Sequence, residues 1–196
     1  MNFLAHLYLS GNDPELAIGN FIADFIKGAG FENFPPKIQQ GILLHRAIDE
    51  FTDNHPIVLQ SKKRLQPIYR HYSGVIVDIY YDHFLALDWE KFHTKSLRVY
   101  VNEQYSLLQS NFDKLPLPTQ KMLPFMIQHD WLYNYQYLDG IQRVMKGMAS
   151  RTKFNSKMEQ SVKELKFYHE EFRAEFHLFF PELIEFSNQT IKSFRA

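Results

Sequence analysis

Residues 38–53 read IQQGILLHRAIDEFTD and place a histidine and an aspartate among apolar residues. On a helix, at about 100° per residue, the isoleucines of this segment share one arc, and His45 and Asp49 lie in the same arc one turn apart. Burying these two polar side chains without partners would cost several kcal/mol. The segment therefore predicts an amphipathic helix whose buried face carries a polar pair that needs a partner, and a metal ion is one solution.

Aspartates interrupt the apolar faces of two further predicted helices. Asp78 and Asp82 are one turn apart in a helix predicted at about residues 75–86, where two carboxylates repel each other unless a cation lies between them or one is protonated. Asp24 closes an earlier predicted helix. Helical bundles commonly build metal sites from side chains on facing helices. The three helices together predict a metal site with the ligands Asp24, His45, Asp49, Asp78 and Asp82.

Each of these residues also has an ordinary structural explanation. A histidine on an apolar face is usually a satisfied core residue, and a buried aspartate is often a helix cap or half of an ion pair. Arg46 has a surface ion pair with Glu50 as its ordinary explanation. The adjacent His129 and Asp130 point about 100° apart on a helix and have no companion cluster nearby, so we interpret them as structural.

Helical spacing recurs throughout the chain, and strand signals are scarce. The pattern predicts an all-α, single-domain helical bundle that covers residues 1–196 with roughly seven to nine helices. The predicted helices cover about 14–27, 37–53, 75–86, 97–111, 120–131, 138–148 and 156–179. Helical patterning also resumes after the break at 54–56 and runs to about residue 71, and a last short helix starts at Pro181.

The composition narrows the class of protein. Basic and acidic residues number 22 each, whereas nucleic-acid-binding proteins usually carry a basic excess, so we predict no nucleic-acid partner. The chain has no cysteine, so a metal would be held by nitrogen and oxygen ligands, which favours Mg²⁺, Mn²⁺, Fe²⁺ or Zn²⁺. No segment reaches the roughly 18 apolar residues of a membrane span, and no signal-peptide pattern is evident. We therefore expect a cytoplasmic protein without a membrane partner.

Five segments along the chain carry distinctive residues: NFLAHL at 2–7, GNFIADF at 19–25, HRAIDEFTDN at 45–54, DIYYDHFL at 78–85 and GMASR at 147–151. Together they resemble the acyl carrier protein phosphodiesterase family, also called acyl carrier protein hydrolase. The resemblance extends from residue 2 to the Phe-Phe-Pro run at 179–181. It implies a fold like that of the HD metal-dependent phosphohydrolases, although His45 is followed here by Arg46 instead of the aspartate of an adjacent His-Asp pair.

The resemblance also implies a reaction. The family hydrolyses the phosphodiester that joins 4′-phosphopantetheine to a serine of holo-acyl carrier protein, giving the apo protein with the help of Mn²⁺ or a similar divalent ion. The leaving alkoxide needs a proton, and His6 and His83 are the candidate general acids. His6 lies in a matching segment and is the first choice, with a metal ligand as its alternative role. Arg46 and Arg151 are candidates for holding a phosphate oxygen.

The partner implied by the resemblance is a strongly acidic carrier protein, so we expect a local basic patch despite the zero net charge. One candidate patch comprises Lys62, Lys63, Arg64 and Arg70, and the other comprises Lys153, Lys157, Lys163 and Lys166. Two rival functions stay open. One is an HD-like phosphohydrolase acting on a nucleotide or another small phosphoester, and the other is a non-catalytic helical interaction module that binds no metal.

Overall fold

The computed structural model describes residues 1–194, and its regular secondary structure is helical. No strand occurs in these residues, so the prediction of an all-α, single-domain bundle is confirmed. The described residues form eleven α-helices instead of the seven to nine predicted, because short helices at Phe3–Leu9 and Trp131–Asn134 were not predicted and the helix predicted at 156–179 is divided. Short 3-10 turns connect several of the α-helices. The α-helices are Phe3–Leu9 (α1), Pro14–Ile22 (α2), Pro36–Asn54 (α3), Pro56–Tyr69 (α4), Ser73–Leu87 (α5), Leu97–Ser110 (α6), Leu117–Gln128 (α7), Trp131–Asn134 (α8), Leu138–Ala149 (α9), Val162–Phe167 (α10) and His169–Ser193 (α11).

Short sequence signals position α2 and α3, which carry most of the candidate site. The side chain of Asp13 accepts hydrogen bonds from backbone N–H groups of the first turn and caps α2, which starts at Pro14. α3 ends at Asn54 because the next residue precedes a proline, and such residues avoid the helical region. The predicted bounds of α3 are therefore confirmed to within one residue at each end.

The N-terminal part of the chain differs from the prediction in two places. α1 was not predicted, and the side chain of Asn2 caps it by accepting a hydrogen bond from the N–H group of Phe3. α2 ends at Ile22 instead of continuing to about residue 27, because the chain turns to an extended conformation at Ile26. Asp24 consequently lies on a 3-10 turn between these two residues, where its side chain is exposed.

The C-terminal part also differs. The single helix predicted at 156–179 is divided into a 3-10 turn, α10 and the first part of α11. Pro181 does not start a new helix but lies inside α11. A proline inside a helix removes one backbone hydrogen bond. The helix continues here because Phe179, Phe180 and Leu183, on both sides of the proline, are completely buried in the core.

The core is formed around α5 and α11, whose inward faces are rich in aromatic rings. Tyr80 and Phe172 pack edge to face with ring centres 5.1 Å apart, and Tyr81 contacts Phe176 in the same manner at 5.7 Å. The buried apolar side chains form one continuous cluster. Among residues 1–194, no helix has both the length and the apolar character required to cross a membrane.

Two glycines let α2 and α3 approach until their backbones touch. A Cβ atom on Gly19 would lie 2.2 Å from the carbonyl oxygen of Ile38, and one on Gly41 would lie 2.4 Å from the carbonyl oxygen of Leu16. Only glycine fits at such distances. This crossing brings Asn20 of α2 against His45 of α3, and the candidate site is built on that contact.

Candidate metal centre and adjoining pocket

Side chains from two helices and one turn bring four potential metal ligands together. His45 Nε2 lies 3.1 Å from Asp49 Oδ2 and 3.2 Å from Asp24 Oδ1. His6 of α1 adds its Nε2 at 3.3 Å from Asp49 Oδ1, and its ring stacks on that of His45 with centres 3.9 Å apart. Of the five residues predicted as ligands, the structure joins three, and it adds His6, which was predicted first of all as a general acid.

Asn20 of α2 orients both imidazole rings. Its side-chain nitrogen donates to the carbonyl oxygen of His6 at 2.8 Å and to Ser10 Oγ at 3.0 Å, so its side-chain oxygen is the atom that faces the His6 ring. His6 Nδ1 lies 2.7 Å from that oxygen, and His45 Nδ1 lies 2.8 Å from the backbone oxygen of Asn20. Because an oxygen of this kind cannot donate, both rings carry a hydrogen on Nδ1 and donate it. Each Nε2 is left facing the carboxylates, as in metal-binding histidines.

The electrostatics of these groups favour a cation at their centre. Burial alone would lower the pKa of His45, but the carboxylates of Asp24 and Asp49 outweigh it and raise this pKa to about 9. Burial, together with the neighbouring His45, lowers the pKa of His6 to about 4. Burial would raise the pKa of Asp49, but its close contacts with the imidazoles of His45 and His6 hold it well below its usual range. Without a metal ion, one protonated imidazole therefore lies between two carboxylates, and a metal ion would replace that proton.

The donor set fits a divalent metal ion. His6 Nε2 is buried and has no hydrogen-bond partner within residues 1–194, and a buried polar atom left unpaired costs free energy. The ligand atoms of His6, His45 and Asp49 all lie within 4.8 Å of one another. Neighbouring ligands around an ion with bonds of about 2.1 Å are roughly 3.0–3.4 Å apart, close to the separations between the imidazoles and carboxylates here. Imidazole and carboxylate ligands together suit Mn²⁺, Fe²⁺ or Zn²⁺.

Asp78 and Asp82 lie at the amino end of α1 and not against the histidines. Asp78 Oδ1 accepts a hydrogen bond from the amino group of Met1 at 3.0 Å, and this amino group lies 3.9 Å from Asp49 Oδ1. Asp82 is completely buried and accepts hydrogen bonds of 2.8–3.4 Å from three backbone N–H groups at the start of α1. An ammonium group and backbone donors thus relieve the repulsion expected between these carboxylates, and their role as metal ligands stays a prediction.

Arg46 and His83, both predicted to act in catalysis, make contacts with the protein itself. Arg46 Nη2 donates to the carbonyl oxygen of Gly28 at 2.8 Å, and its guanidinium lies 5.0 Å from the centre of the Phe31 ring. Arg46 therefore holds the segment that precedes α3 against that helix. His83 is buried in α5, and its Nδ1 donates to the carbonyl oxygen of Tyr135 at 2.6 Å. The catalytic roles of both residues stay predictions.

A pocket of about 440 Å³ adjoins the metal centre, and Asp24 lies on its wall. Arg151, which was predicted to bind substrate, also lines this pocket. A second arginine, Arg143 of α9, lies on the wall as well. Most of the remaining wall is apolar or aromatic, and it includes Phe3, Phe25, Met122, Trp131, Val144 and Met148.

Sequence reasoning missed two titratable residues of this pocket. His129 was interpreted as structural together with Asp130; Asp130 does form an ion pair with Arg98 at 2.6 Å, but His129 lines the pocket. Arg143 was not singled out, although it lies four residues before a glycine and eight before Arg151. Spacing of this kind places side chains on one face of a helix and was the available signal.

The match to known proteins covers most of the chain. A family model described as acyl carrier protein phosphodiesterase matches residues 1–183. A protein of that name from Photorhabdus laumondii is 33% identical over 186 residues, which is 94% of each chain. Another from Escherichia coli is 32% identical over 192 residues, covering 94% of this chain and 96% of the relative.

No solved structure matches the chain, so the implied relation to the HD phosphohydrolases stays a prediction. A third relative, from Yersinia pestis and again named acyl carrier protein phosphodiesterase, is 33% identical over 152 residues, or 77% of this chain and 79% of its own length. The range that the family model matches includes His6, Asp24, His45 and Asp49. The chain belongs to the acyl carrier protein phosphodiesterase family.

Proposed function

We propose that this protein is a metal-dependent phosphodiesterase that removes 4′-phosphopantetheine from holo-acyl carrier protein and leaves the apo protein. The family name is that of a phosphoric diester hydrolase. The observation that carries the metal-dependent part is the cluster of His6, His45, Asp49 and Asp24, whose ligand atoms converge beside a pocket large enough for an organic substituent of the phosphate.

The residues of the site have distinct tasks in this proposal. When bound, a divalent ion activates a water molecule for attack on phosphorus and neutralises phosphate charge. Asn20 keeps the Nδ1 hydrogens of His6 and His45 engaged, so that both Nε2 atoms serve as ligands. Arg151 and Arg143 on the pocket wall hold a phosphate oxygen through their forked donors.

A proton for the leaving alkoxide completes the reaction. His6 faces the carboxylates of the metal centre, so we assign it as a ligand. His83 is buried against a backbone oxygen and does not line the pocket. His129 lies on the pocket wall with an exposed imidazole, and we propose it as the general acid, with His83 as the alternative.

The metal of the proposal is Mn²⁺ or a similar divalent ion, and the partner is the carrier protein. Of the two predicted basic patches, the first is largely neutralised, because Lys62 pairs with Asp53 and Arg64 pairs with Glu175, each at 2.6 Å. The second predicted patch shares Lys153 and Lys157 with a longer cationic segment, whereas its Lys163 and Lys166 lie outside that segment. Residues 140–158 contain no aspartate or glutamate and five cations, which are Arg143, Lys146, Arg151, Lys153 and Lys157.

Two of these five cations line the pocket beside the metal centre, and the structure gives none of the five an ion pair within residues 1–194. An acidic surface would therefore be attracted to the side of the molecule where the reaction takes place. We propose that the carrier protein docks on this cationic segment, residues 140–158.

The test is the intact mass of holo-acyl carrier protein after incubation with the purified protein and Mn²⁺. We expect the loss of one phosphopantetheine, abolished by EDTA. Asp49→Asn should reduce turnover at least about 100-fold, because a ligand and its charge are altered. Asp53→Asn, one turn further along α3 with an exposed side chain, is the matched control and should behave as the wild type. No mass loss with Mn²⁺, Mg²⁺ or Fe²⁺ and a folded sample would contradict the proposal.

A further inference from the structure

The pocket beside the metal centre is continuous with it through Asp24, whose carboxylate contacts His45 and also lines the pocket. Asn2 and Phe3, at the start of the helix that carries His6, line the pocket too. A phosphodiester bound at the metal centre has two organic substituents. One of them must therefore point toward this pocket, and the other must point away from it.

The size of the pocket limits what it accepts. Its volume of about 440 Å³ lies within the range of roughly 300–1,000 Å³ that small-molecule sites occupy. A phosphate group with its first water molecules, at about 30 Å³ per water, needs far less space. A folded protein, in contrast, cannot enter a pocket of this size. The pocket is therefore suited to a flexible small group attached to the phosphate.

The chemistry of the wall indicates an uncharged chain with apolar segments. Phe25, Trp131 and Met148 offer aromatic and apolar surface. Asn134 also lines the pocket; its side-chain nitrogen donates to the carbonyl oxygen of His129 at 3.0 Å, which leaves its side-chain oxygen free to accept from an amide N–H. An amide-containing chain with branched apolar carbons meets each of these features.

We propose that this pocket binds the pantetheine arm, while the carrier protein stays outside on the cationic segment; this assignment rests on the function proposed above. This placement of the arm determines which bond to phosphorus breaks. Water attacks phosphorus, the bond between phosphorus and the serine oxygen of the carrier protein breaks, and that oxygen takes up a proton. The phosphate remains on the arm, so apo-carrier protein leaves from the surface and 4′-phosphopantetheine leaves from the pocket.

Gly147 of α9 offers a way to close the pocket without disturbing the fold. It lines the pocket, and apart from its chain neighbours and the backbone of its own helix, no heavy atom lies within 4 Å of the position that its Cβ would take. Replacement of a glycine in a helix by leucine also favours the helical conformation. Gly147→Leu should therefore fill part of the pocket. Gly74→Leu, in α5 and outside the pocket, makes the same change against a lysine side chain at 3.6 Å and is the matched control.

The experiment measures the fluorescence of Trp131 while pantetheine, without phosphate or carrier protein, is titrated into metal-free protein. We expect a saturable change that is absent in Trp131→Phe, weakened at least about tenfold in Gly147→Leu and retained in Gly74→Leu. Val144→Trp, on the same wall, repeats the test without altering a glycine. Mn²⁺ affinity should be equal in wild type and Gly147→Leu, whereas KM for holo-carrier protein should rise at least about tenfold in the variant.

Two results would overturn the assignment. The first is that Gly147→Leu and Val144→Trp leave both the affinity for pantetheine and the KM for holo-carrier protein unchanged. The other is saturable binding of adenosine in place of pantetheine, which would indicate a nucleotide pocket. Failure of the proposed function gives a different pattern, in which holo-carrier protein is not hydrolysed although pantetheine still binds to the wild type and not to Gly147→Leu.

Discussion

Asn20 is uncharged, and its polar atoms hydrogen-bond to protein groups, yet it contacts both histidines of the candidate metal centre. It uses its side-chain oxygen for His6 and its backbone oxygen for His45, and its side-chain nitrogen is engaged by Ser10 and by the backbone of His6. Residues that hold metal ligands in this way typically affect metal affinity 10–100-fold. In the proposed metal site, the donor geometry would therefore depend on a residue that does not itself coordinate the ion.

We expect Asn20→Ala to weaken Mn²⁺ binding by about 10–100-fold, because the His6 ring loses the acceptor for its Nδ1 hydrogen. Isothermal titration with Mn²⁺ measures the change. Ser10→Ala removes a neighbour of the same network that contacts neither ring and should change metal affinity by less than about threefold. Equal affinity in Asn20→Ala and wild type would show that the rings do not depend on this contact.

The surroundings of Asp82, which was predicted as a metal ligand, indicate a structural role for its carboxylate. Its carboxylate is completely buried and is surrounded by the backbone donors of α1, and burial raises its pKa to about 7. Asp82→Ala would leave three buried N–H groups without an acceptor. We expect a loss of about 2–4 kcal/mol in the free energy of unfolding, measured in urea, since each unsatisfied buried donor costs about 1–3 kcal/mol and part of the cost is relieved by relaxation.

The same variant tests the ligand prediction. In the absence of urea, where the Asp82→Ala variant remains folded, this variant should still bind Mn²⁺. If Asp82→Ala keeps wild-type stability but loses metal binding, the carboxylate is a ligand and the explanation as a helix cap is wrong.

α9 and the segment after it connect the pocket to the surface. Arg143 and Arg151 line the pocket, and Lys153 and Lys157 continue the positive charge beyond it. The exposed Phe154 lies within the same segment and offers apolar surface to a partner. One short stretch of chain would thus contribute to both the docking surface and the pocket for the arm. A bound carrier protein would then have its serine–phosphate bond positioned at the metal centre.

Charge reversal tests this element. We expect the triple variant Lys146→Glu, Lys153→Glu, Lys157→Glu, which leaves both pocket arginines intact, to raise KM for holo-carrier protein at least about tenfold, through loss of electrostatic attraction, without changing metal content. Lys62→Glu together with Lys63→Glu, in the other predicted patch, should leave KM within about twofold. Steady-state kinetics at low and high salt provide the measurement, because the difference between variants should shrink as salt screens the charges. An unchanged KM after charge reversal in the cationic segment would rule out the proposed docking surface.

The bundle as a whole brings together potential metal ligands from α1, α3 and the turn after α2. An ion bound by all of them joins these elements only in the folded state, so metal binding should stabilise the entire molecule. At a concentration 100 times its Kd, a ligand adds about 2.7 kcal/mol. For a chain of this length we expect the Tm to rise by about 5–10 °C in a thermal melt with Mn²⁺. His45→Ala should show no such rise, and a rise of equal size in that variant would place the ion elsewhere.

Local spacing in the sequence was sufficient for part of this description. Helical periodicity predicted an all-α bundle and the bounds of α3 to within one residue, and the i,i+4 spacing of His45 and Asp49 put both on one face of that helix. The five family segments indicated the family that the comparisons then showed. These features are local because a helix determines the relative direction of residues one turn apart, whatever surrounds it.

Tertiary packing decided the remainder. Nothing in the spacing indicates that the His6 ring stacks on that of His45, or that Asn20 holds both, since these contacts depend on the close crossing of α2 and α3 at two glycines. Asp78 and Asp82 show the same limit, because their partners are the amino group of Met1 and backbone N–H groups that lie 77 or more residues earlier in the sequence. Periodicity reports which face of a helix a residue occupies, but only the packed fold determines which groups from distant segments meet it there.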